Sequence, residues 1–463
     1  MKYISTRGKV EPVEFQDAVM MGLADDGGLL IPQEIPDVTD RLDDWRGLTY
    51  NELAIEIISL FSSDIPKGHL QQMIEASYRP EAFDPAVAPV VKAGNVHVLE
   101  LWHGPTLAFK DVALQLLGNL FEYILANRGG ELNILGATSG DTGSAAIYGV
   151  RGKKQIRIFI MHPSGRVSPI QERQMTTVLD DNVHNVAIEG SFDDCQRIMK
   201  GLAGDIDFKR QTSLGAVNSV NWARVLAQIV YFFTAAFDVQ KTTGSSPVRF
   251  AVPTGNFGDV LAGWYAMRMG APIEKLILAT NVNDILSRFF NTGVYSTSEV
   301  FQTCTPSMDI QVASNFERYL YYKVGCDPEK LVDLMTQFSA SGRLSVELDD
   351  QGKVDKNFIA GAASQQQVLD TIREFHAEHG YLLDPHTAVG VSVAAPIAKD
   401  GAPVICLATA HPAKFPAAIK EATGKDVARH PAIDALMELP TRCRKLPNDP
   451  KAMKDLILRT IGH

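Results

Sequence analysis

The 463-residue chain has five cysteines, Cys195, Cys304, Cys326, Cys406 and Cys443, and no two of them form a C-x-x-C pair. That scatter argues against a zinc or disulfide framework and reads as reduced thiols in a cytoplasmic protein; no metal site is expected. Excess basic charge is also missing: 44 Lys and Arg against 54 Asp and Glu leave a net charge of −10. Such a chain has no overall field for gathering nucleic acid, so an anionic ligand must be held by local donors. The opening Met1-Lys-Tyr-Ile-Ser-Thr-Arg-Gly-Lys9 lacks the apolar core of a signal peptide. The longest apolar run, Val225–Phe237, is shorter than a membrane span and contains Gln228, so it is expected as a buried helix and no membrane partner is expected. Internal repeats and low-complexity tracts are absent.

What is present points to an α/β protein. Hydrophobic content of 45% with 21% charged residues is ordinary for a globular chain, and the length suggests two or three domains. Residues 1–95 read as mainly helical, with Pro-rich breaks at Pro32–Pro36 and Asp84–Pro89. From Val96 onward, apolar runs at Val96–Leu101, Leu132–Gly136, Ile156–His162, Val183–Glu189, Val248–Val252, Lys275–Thr280 and Pro403–Ala408 alternate with helical patterns. This is the pattern of a mostly parallel, doubly wound sheet. Lys241-Thr-Thr-Gly-Ser-Ser-Pro247 has the composition of a hinge or surface loop, and residues 301–361 are a candidate insertion.

Three stretches carry chemistry, each at a strand-to-helix junction. His103-Gly-Pro-Thr-Leu-Ala-Phe-Lys110-Asp111 places Lys110 where a side chain can stand up at the end of a sheet, before a helix from about Asp111 to Asn127. The macrodipole disfavours a cation there, so Lys110 is not placed for helix stability. Gly136-Ala-Thr-Ser-Gly-Asp-Thr-Gly143 is a loop of small and hydroxyl residues opening a helix near Asp141. It is not a nucleotide P-loop, since that motif needs a glycine at 141 followed by a lysine. Pro253-Thr-Gly255-Asn256-Phe257-Gly258-Asp259 follows a strand and precedes a helix, so its amides can converge on a phosphate. Singly, each has a bland reading as a solvated lysine, a capped turn or a simple loop. Together they make a set: a lysine able to form a Schiff base, a substrate-anion loop and a cofactor-phosphate loop.

With these stretches the chain resembles the threonine synthase family of bacterial and fungal type. The resemblance extends to Asn218-Ser-Val-Asn-Trp-Ala-Arg224, Ala279-Thr-Asn-Val-Asn-Asp284, Thr409-Ala-His-Pro-Ala-Lys-Phe415 and the early segment Met20–Pro32, spread in order along most of the chain. It implies a two-lobed fold of the tryptophan-synthase-β group (fold type II), with residues 1–95 as the family's N-terminal domain and 96–463 as the catalytic region. It implies pyridoxal 5′-phosphate as cofactor, carried by Lys110 as catalytic residue and held by Gly255, Asn256, Phe257, Gly258 and Asp259. Thr409 is then the neutral hydroxyl partner of the pyridine nitrogen. Thr138, Ser139, Asp141 and Thr142 are expected around the substrate α-carboxylate. Asn218, Ser219 and Arg224 are expected around a second phosphate, for which Arg224 offers a bidentate fork. His103, Arg166 and Lys414 are weaker candidates for the substrate mouth.

The implied reaction is conversion of O-phospho-L-homoserine and water to L-threonine and phosphate, by a cytoplasmic enzyme expected to be a monomer. A dehydratase of the same fold has no phosphate for the Asn218–Arg224 segment to hold. The same residues also leave room for a phospho-lyase releasing 2-oxobutyrate, or for a catalytically idle binding protein. Many relatives in the wider fold group have asparagine where Asp141 stands, which leaves the role of Asp141 open.

Overall fold

Strands Val96–Glu100 and Val404–Ala408 lie side by side in parallel, pairing Leu99 with Leu407, although they come from opposite ends of the catalytic region. The computed structural model in which they meet describes residues 1–463 apart from Ala216, Asp400 and His463. Around this pair runs a six-stranded sheet in the order Phe358–Ala362, Ile273–Thr280, Val248–Pro253, Val404–Ala408, Val96–Glu100, Val90–Ala93. All neighbours are parallel except the last, which returns antiparallel on Val96–Glu100. A second, five-stranded parallel sheet has the order Arg444–Pro447, Val183–Glu189, Ile156–Pro163, Leu132–Ala137, Leu214–Gly215. The central strands are runs of Val, Ile, Leu and Phe buried along most of their length, as parallel sheets with helices on both faces require. The expected α/β class is therefore the observed one.

The longest apolar run lies within the helix Trp222–Thr243, which is long and apolar enough to cross a membrane; 89% of its apolar window is buried inside the fold, so it is a core helix. It packs on Lys110–Arg128 and Gly258–Met269 and contributes Trp222, Tyr231, Phe232 and Phe233 to the core. Of the predicted loop Lys241–Pro247, Lys241–Thr243 end this helix and Gly244–Pro247 turn into Val248–Pro253.

The chain crosses between the two sheets three times. It leaves the large sheet after Val96–Glu100 through the helix Lys110–Arg128, returns after Leu214–Gly215 through Trp222–Thr243, and leaves again after Val404–Ala408. Every crossing passes the carboxyl ends of strands, where ligands of open α/β sheets bind. The helices Lys110–Arg128 and Asp141–Val150, which follow strands of different sheets, touch backbone to backbone. A Cβ on Gly118 would lie 1.9 Å from the Gly149 carbonyl oxygen, and one on Gly149 would lie 2.4 Å from that of Leu114. The two glycines set how closely Lys110 and Asp141 approach.

Two stretches differ from the sequence expectation. Residues 1–95 contain a β-ladder as well as helices: Tyr3–Ser5 pairs antiparallel with Leu30–Pro32. Val90–Ala93 pairs with Val96–Glu100, so position 95 falls in the turn of a hairpin belonging to the large sheet. Residues 301–361 contribute to the lobe itself: Phe316, Tyr319 and Leu344 are in its core, and Phe358–Ala362 supplies an edge strand. These strands are too short for alternation to register in sequence, because three to five residues show barely two periods.

Candidate active site

The Lys110 junction is held from three sides. Thr106 donates its backbone N–H (2.8 Å) and its hydroxyl (2.7 Å) to the Asp111 carboxylate, which closes the turn after Gly104-Pro105. Ala108 and Ala410 form an antiparallel bridge, flanked by Phe109 N–H to Thr409 O (2.9 Å) and His411 N–H to Leu107 O (3.1 Å). Lys110 is then the first helical residue, with its side chain 11% exposed.

Its ammonium lies 3.5 Å from Asp141 Oδ2, and the other oxygen of Asp141 is 2.8 Å from Lys414 Nζ and accepts from Gln171 Nε2 at 2.9 Å. Lys414, whose side chain is fully buried, also donates to Thr106 O at 2.7 Å. Burial pushes the Lys110 amine below its ordinary pKa, the cations Lys414 and Arg224 add to this, and Asp141 opposes it. The result is an amine closer to its nucleophilic neutral form. Burial alone would raise the Asp141 pKa, but Lys414, Lys110 and the Gln171 hydrogen bond outweigh it and hold the carboxylate ionised.

That geometry changes the reading of the first anion loop. A carboxylate between two lysines cannot grip a second carboxylate, so Asp141 anchors Lys110 and Lys414 instead. Thr138 is likewise turned inward, its hydroxyl accepting from Gly140 N–H and Gly143 N–H, each at 3.0 Å. Ser139 is exposed, and of these residues only Thr142 lines the cleft. The backbone at the start of Asp141–Val150 remains available to an anion.

In the glycine loop the close approach is explicit. A Cβ on Gly255 would sit 2.7 Å from Ser307 O, and Phe257 takes φ +64° with its ring among Phe290, Phe316, Tyr319 and Phe358. Asn315 pins the loop from outside, donating its backbone and side-chain N–H groups to Asn256 O at 3.1 and 3.3 Å. The buried Arg318 donates to Asn315 Oδ1 (2.6 Å), to Leu30 O and to Val220 O, joining the loop to the N-terminal ladder and to the second crossing. Asn281 and Asn283 fix the segment carrying Ser307: both donate to Asp309 Oδ1, at 2.7 and 3.0 Å. Asp259 accepts from the Tyr231 hydroxyl through Oδ1, while Oδ2 is buried without a partner among the described residues. Burial raises its pKa to about 7, against the Tyr231 hydrogen bond and Lys110.

Arg224, in the first turn of Trp222–Thr243, is 5% exposed, and its Nε and Nη1 have no hydrogen-bond partner among the described residues. Burial lowers its pKa to about 10. Ser219 lines the same cleft, with its hydroxyl 2.7 Å from that of Ser314, whereas Asn218 Oδ1 accepts from Asn221 N–H and shapes the turn. Thr409, after the strand next to the one that carries the glycine loop, also lines the cleft. His103 is paired with Glu100 at 2.8 Å and Arg166 is exposed; neither lines the cleft. Gln171, Ser307, Met308, Asn315 and His386 are site neighbours that no motif in the sequence singled out.

A depressed lysine amine, a glycine loop that only a missing Cβ allows and buried donors awaiting an anion fit pyridoxal phosphate and an anionic amino-acid substrate. In agreement, residues 85–349 match the family described as pyridoxal-phosphate dependent enzyme, which gives the class. Residues 2–78 match the threonine synthase N terminus and residues 387–457 the threonine synthase C-terminal family. The threonine synthase of Pseudomonas aeruginosa is 48% identical over 97% of this chain and 96% of its own, and that of Saccharomyces cerevisiae 44% over 91% and 88%. A crystal structure of pyridoxal-phosphate-bound threonine synthase from Brucella melitensis superposes with a TM-score of 0.96 at 45% identity, covering all of both chains. The chain belongs to the threonine synthase family, pyridoxal-phosphate-dependent lyases of threonine biosynthesis.

Proposed function

We propose that the protein converts O-phospho-L-homoserine and water to L-threonine and inorganic phosphate through the residues gathered in this cleft. The observation that carries the reading is Arg224: a buried guanidinium with free donors, in the cleft that also holds Lys110 and the glycine loop. One anion loop suffices for the cofactor. A second cationic site calls for a second phosphate, which a dehydratase substrate lacks.

When bound, pyridoxal phosphate supplies the electron sink that makes the substrate Cα and Cβ protons acidic. Lys110 carries the cofactor and, once released, moves protons at these carbons; its lowered pKa keeps a neutral fraction available. Gly255, Asn256, Phe257, Gly258 and Asp259 hold the cofactor phosphate and Thr409 its ring nitrogen. Thr142 and the amides of Ser139, Asp141 and Thr142 hold the α-carboxylate, with Thr138 and Asp141 shaping that loop. Arg224 and Ser219, in the turn set by Asn218, hold the γ-phosphate and the phosphate leaving from it. Burial of Lys110, Asp141 and Arg224 excludes bulk water, which limits early hydrolysis. The enzyme acts on a small molecule as a cytoplasmic monomer, with no nucleic-acid or membrane partner.

Product analysis with O-phosphohomoserine tests this. The wild type should form threonine and phosphate in equal amounts, and Lys110→Ala neither. Phosphate with 2-oxobutyrate in place of threonine would reassign the protein as a phospho-lyase.

A further inference from the structure

Gln228 interrupts the longest apolar run of the chain, Val225–Phe237, and no part of the reaction above uses it. It is 4% exposed and lines the cleft. Among the described residues its side-chain amide makes no hydrogen bond. A buried amide without a partner is costly, and in the middle of a core helix an aliphatic side chain would remove that cost. A ligand that accepts from the amide accounts for its presence.

Helix geometry and one close contact place the amide. Arg224, Gln228 and Tyr231 stand at i, i+4 and i+7 on one face of Trp222–Thr243. Arg224 lines the cleft with free donors, and the Tyr231 hydroxyl donates to Asp259 in the first turn of Gly258–Met269. Gln228 lies between the two. A Cβ on Gly258 would come 3.8 Å from Gln228 Oε1, so the end of the side chain sits at the start of Gly258–Met269. The first N–H groups of a helix have no partner within it, and here the glycine loop leads into them as a phosphate cradle. The amide turns about its last bond to present either its oxygen or its nitrogen.

We propose that Gln228 is a further cofactor-contacting residue, whose amide N–H donates to the phosphate of pyridoxal phosphate held in the glycine loop. The proposal rests on the placement of that phosphate at Gly255–Asp259 given above. The face of Trp222–Thr243 is then divided between two anions. The charged Arg224 serves the phosphate that arrives and leaves with the substrate, and the neutral Gln228 serves the one that stays with the cofactor.

The test combines three measurements on the full-length protein: melting of the apoprotein, its titration with pyridoxal phosphate, and the 31P resonance of the bound cofactor. Gln228→Met keeps the length of the side chain and removes the donor. Its apoprotein should melt no lower than the wild type, because no hydrogen bond is lost, while cofactor affinity falls by at least about tenfold. The 31P resonance should move, which a packing role alone would not cause. Gln228→Glu keeps the shape and should lose more affinity than Gln228→Met in neutral solution, since a carboxylate repels the phosphate. It also decides the matter should Gln228→Met fail to fold. Unchanged affinity and an unmoved resonance overturn the proposal, as does a lower melting temperature with the resonance unmoved. Wild-type cofactor affinity together with lost stabilisation of the cofactor-loaded protein by inorganic phosphate also overturns it, and assigns Gln228 to the substrate anion. Failure of the wild-type apoprotein to bind pyridoxal phosphate would instead overturn the placement on which the proposal rests.

Discussion

Phe109 donates its backbone N–H to the carbonyl of Thr409 across 2.9 Å, so the residue before Lys110 is tied to the proposed ring-nitrogen partner itself. The segments that carry Lys110 and Thr409 are thus set against each other by backbone pairing. Hydrogen-bonded backbone tolerates neighbouring substitutions better than a packed contact does. The consequences of mutation therefore concentrate in the charges and in the glycine loop.

Lys414→Met should be among the most damaging single changes. It leaves Asp141 buried with only Lys110, at 3.5 Å, and Gln171 for compensation. Breaking a buried ion pair from one side costs about 3–5 kcal/mol. Loss of the Lys414 charge also removes one of the cations that hold the Lys110 pKa down, so that pKa should rise. The pH profile of cofactor capture by the apoprotein should shift to higher pH; an unchanged profile would separate Lys414 from Lys110.

Arg224→Gln should have opposite effects on stability and on activity. Removing an unpaired buried cation should raise the melting temperature of the substrate-free protein. Losing a charge-assisted pair to the substrate phosphate should lower kcat/KM by about 10- to 100-fold. Inorganic phosphate should stabilise the cofactor-loaded wild type and not the variant. Equal protection of both would move the phosphate site elsewhere.

Gly255→Ala tests the close approach. The added Cβ would meet Ser307 O at 2.7 Å, and the segment behind it is fixed through Asp309 by Asn281 and Asn283. Overpacking of this kind costs about 1–3 kcal/mol. Cofactor affinity measured by titration of the apoprotein should fall at least about tenfold, the equivalent of ~1.4 kcal/mol. Unimpaired affinity would remove the loop from the phosphate site.

Asp259→Asn should stabilise the ligand-free protein in alkaline solution and not in acid. Burial raises the folded-state pKa to about 7, above the unfolded value, so between these two the folded state holds the extra proton and wild-type stability falls as pH rises. Asparagine keeps the Tyr231 hydrogen bond and carries no charge. Its advantage should be about 4 kcal/mol at pH 8, about three pKa units at ~1.4 kcal/mol each, and nearly absent below pH 4, as read by denaturant melts at both values. A bound phosphate dianion favours the protonated acid further, so cofactor binding to the wild type should weaken above pH 7 and that of the variant should not.

Much of the fold is legible in the sequence because seven apolar runs form strands within two residues of their expected ends and the helices between them follow. Lys110, the glycine loop, Arg224 and Thr409 are legible because strand-to-helix junctions and glycines announce themselves locally. What the sequence withholds depends on distant partners. Phe358–Ala362 and Arg444–Pro447 are edge strands too short to show a period. Lys414, expected at the substrate mouth, is instead fully buried against Asp141, and Gln171, Asn315 and His386 enter the site only through tertiary contact. The motif puts Asp141 in the right loop, but its side chain faces two lysines, which no spacing reveals.

The strand Val404–Ala408 sits in the middle of the large sheet yet is the last of its six strands to leave the ribosome. Until it arrives, Val96–Glu100 and Val248–Pro253 have no common neighbour, Phe109 has no Thr409 to bond, and Asp141 has no Lys414. A nascent or truncated chain therefore holds a sheet with a gap at its centre. The site as folded therefore depends on a strand made late in synthesis, after Lys110 and the glycine loop.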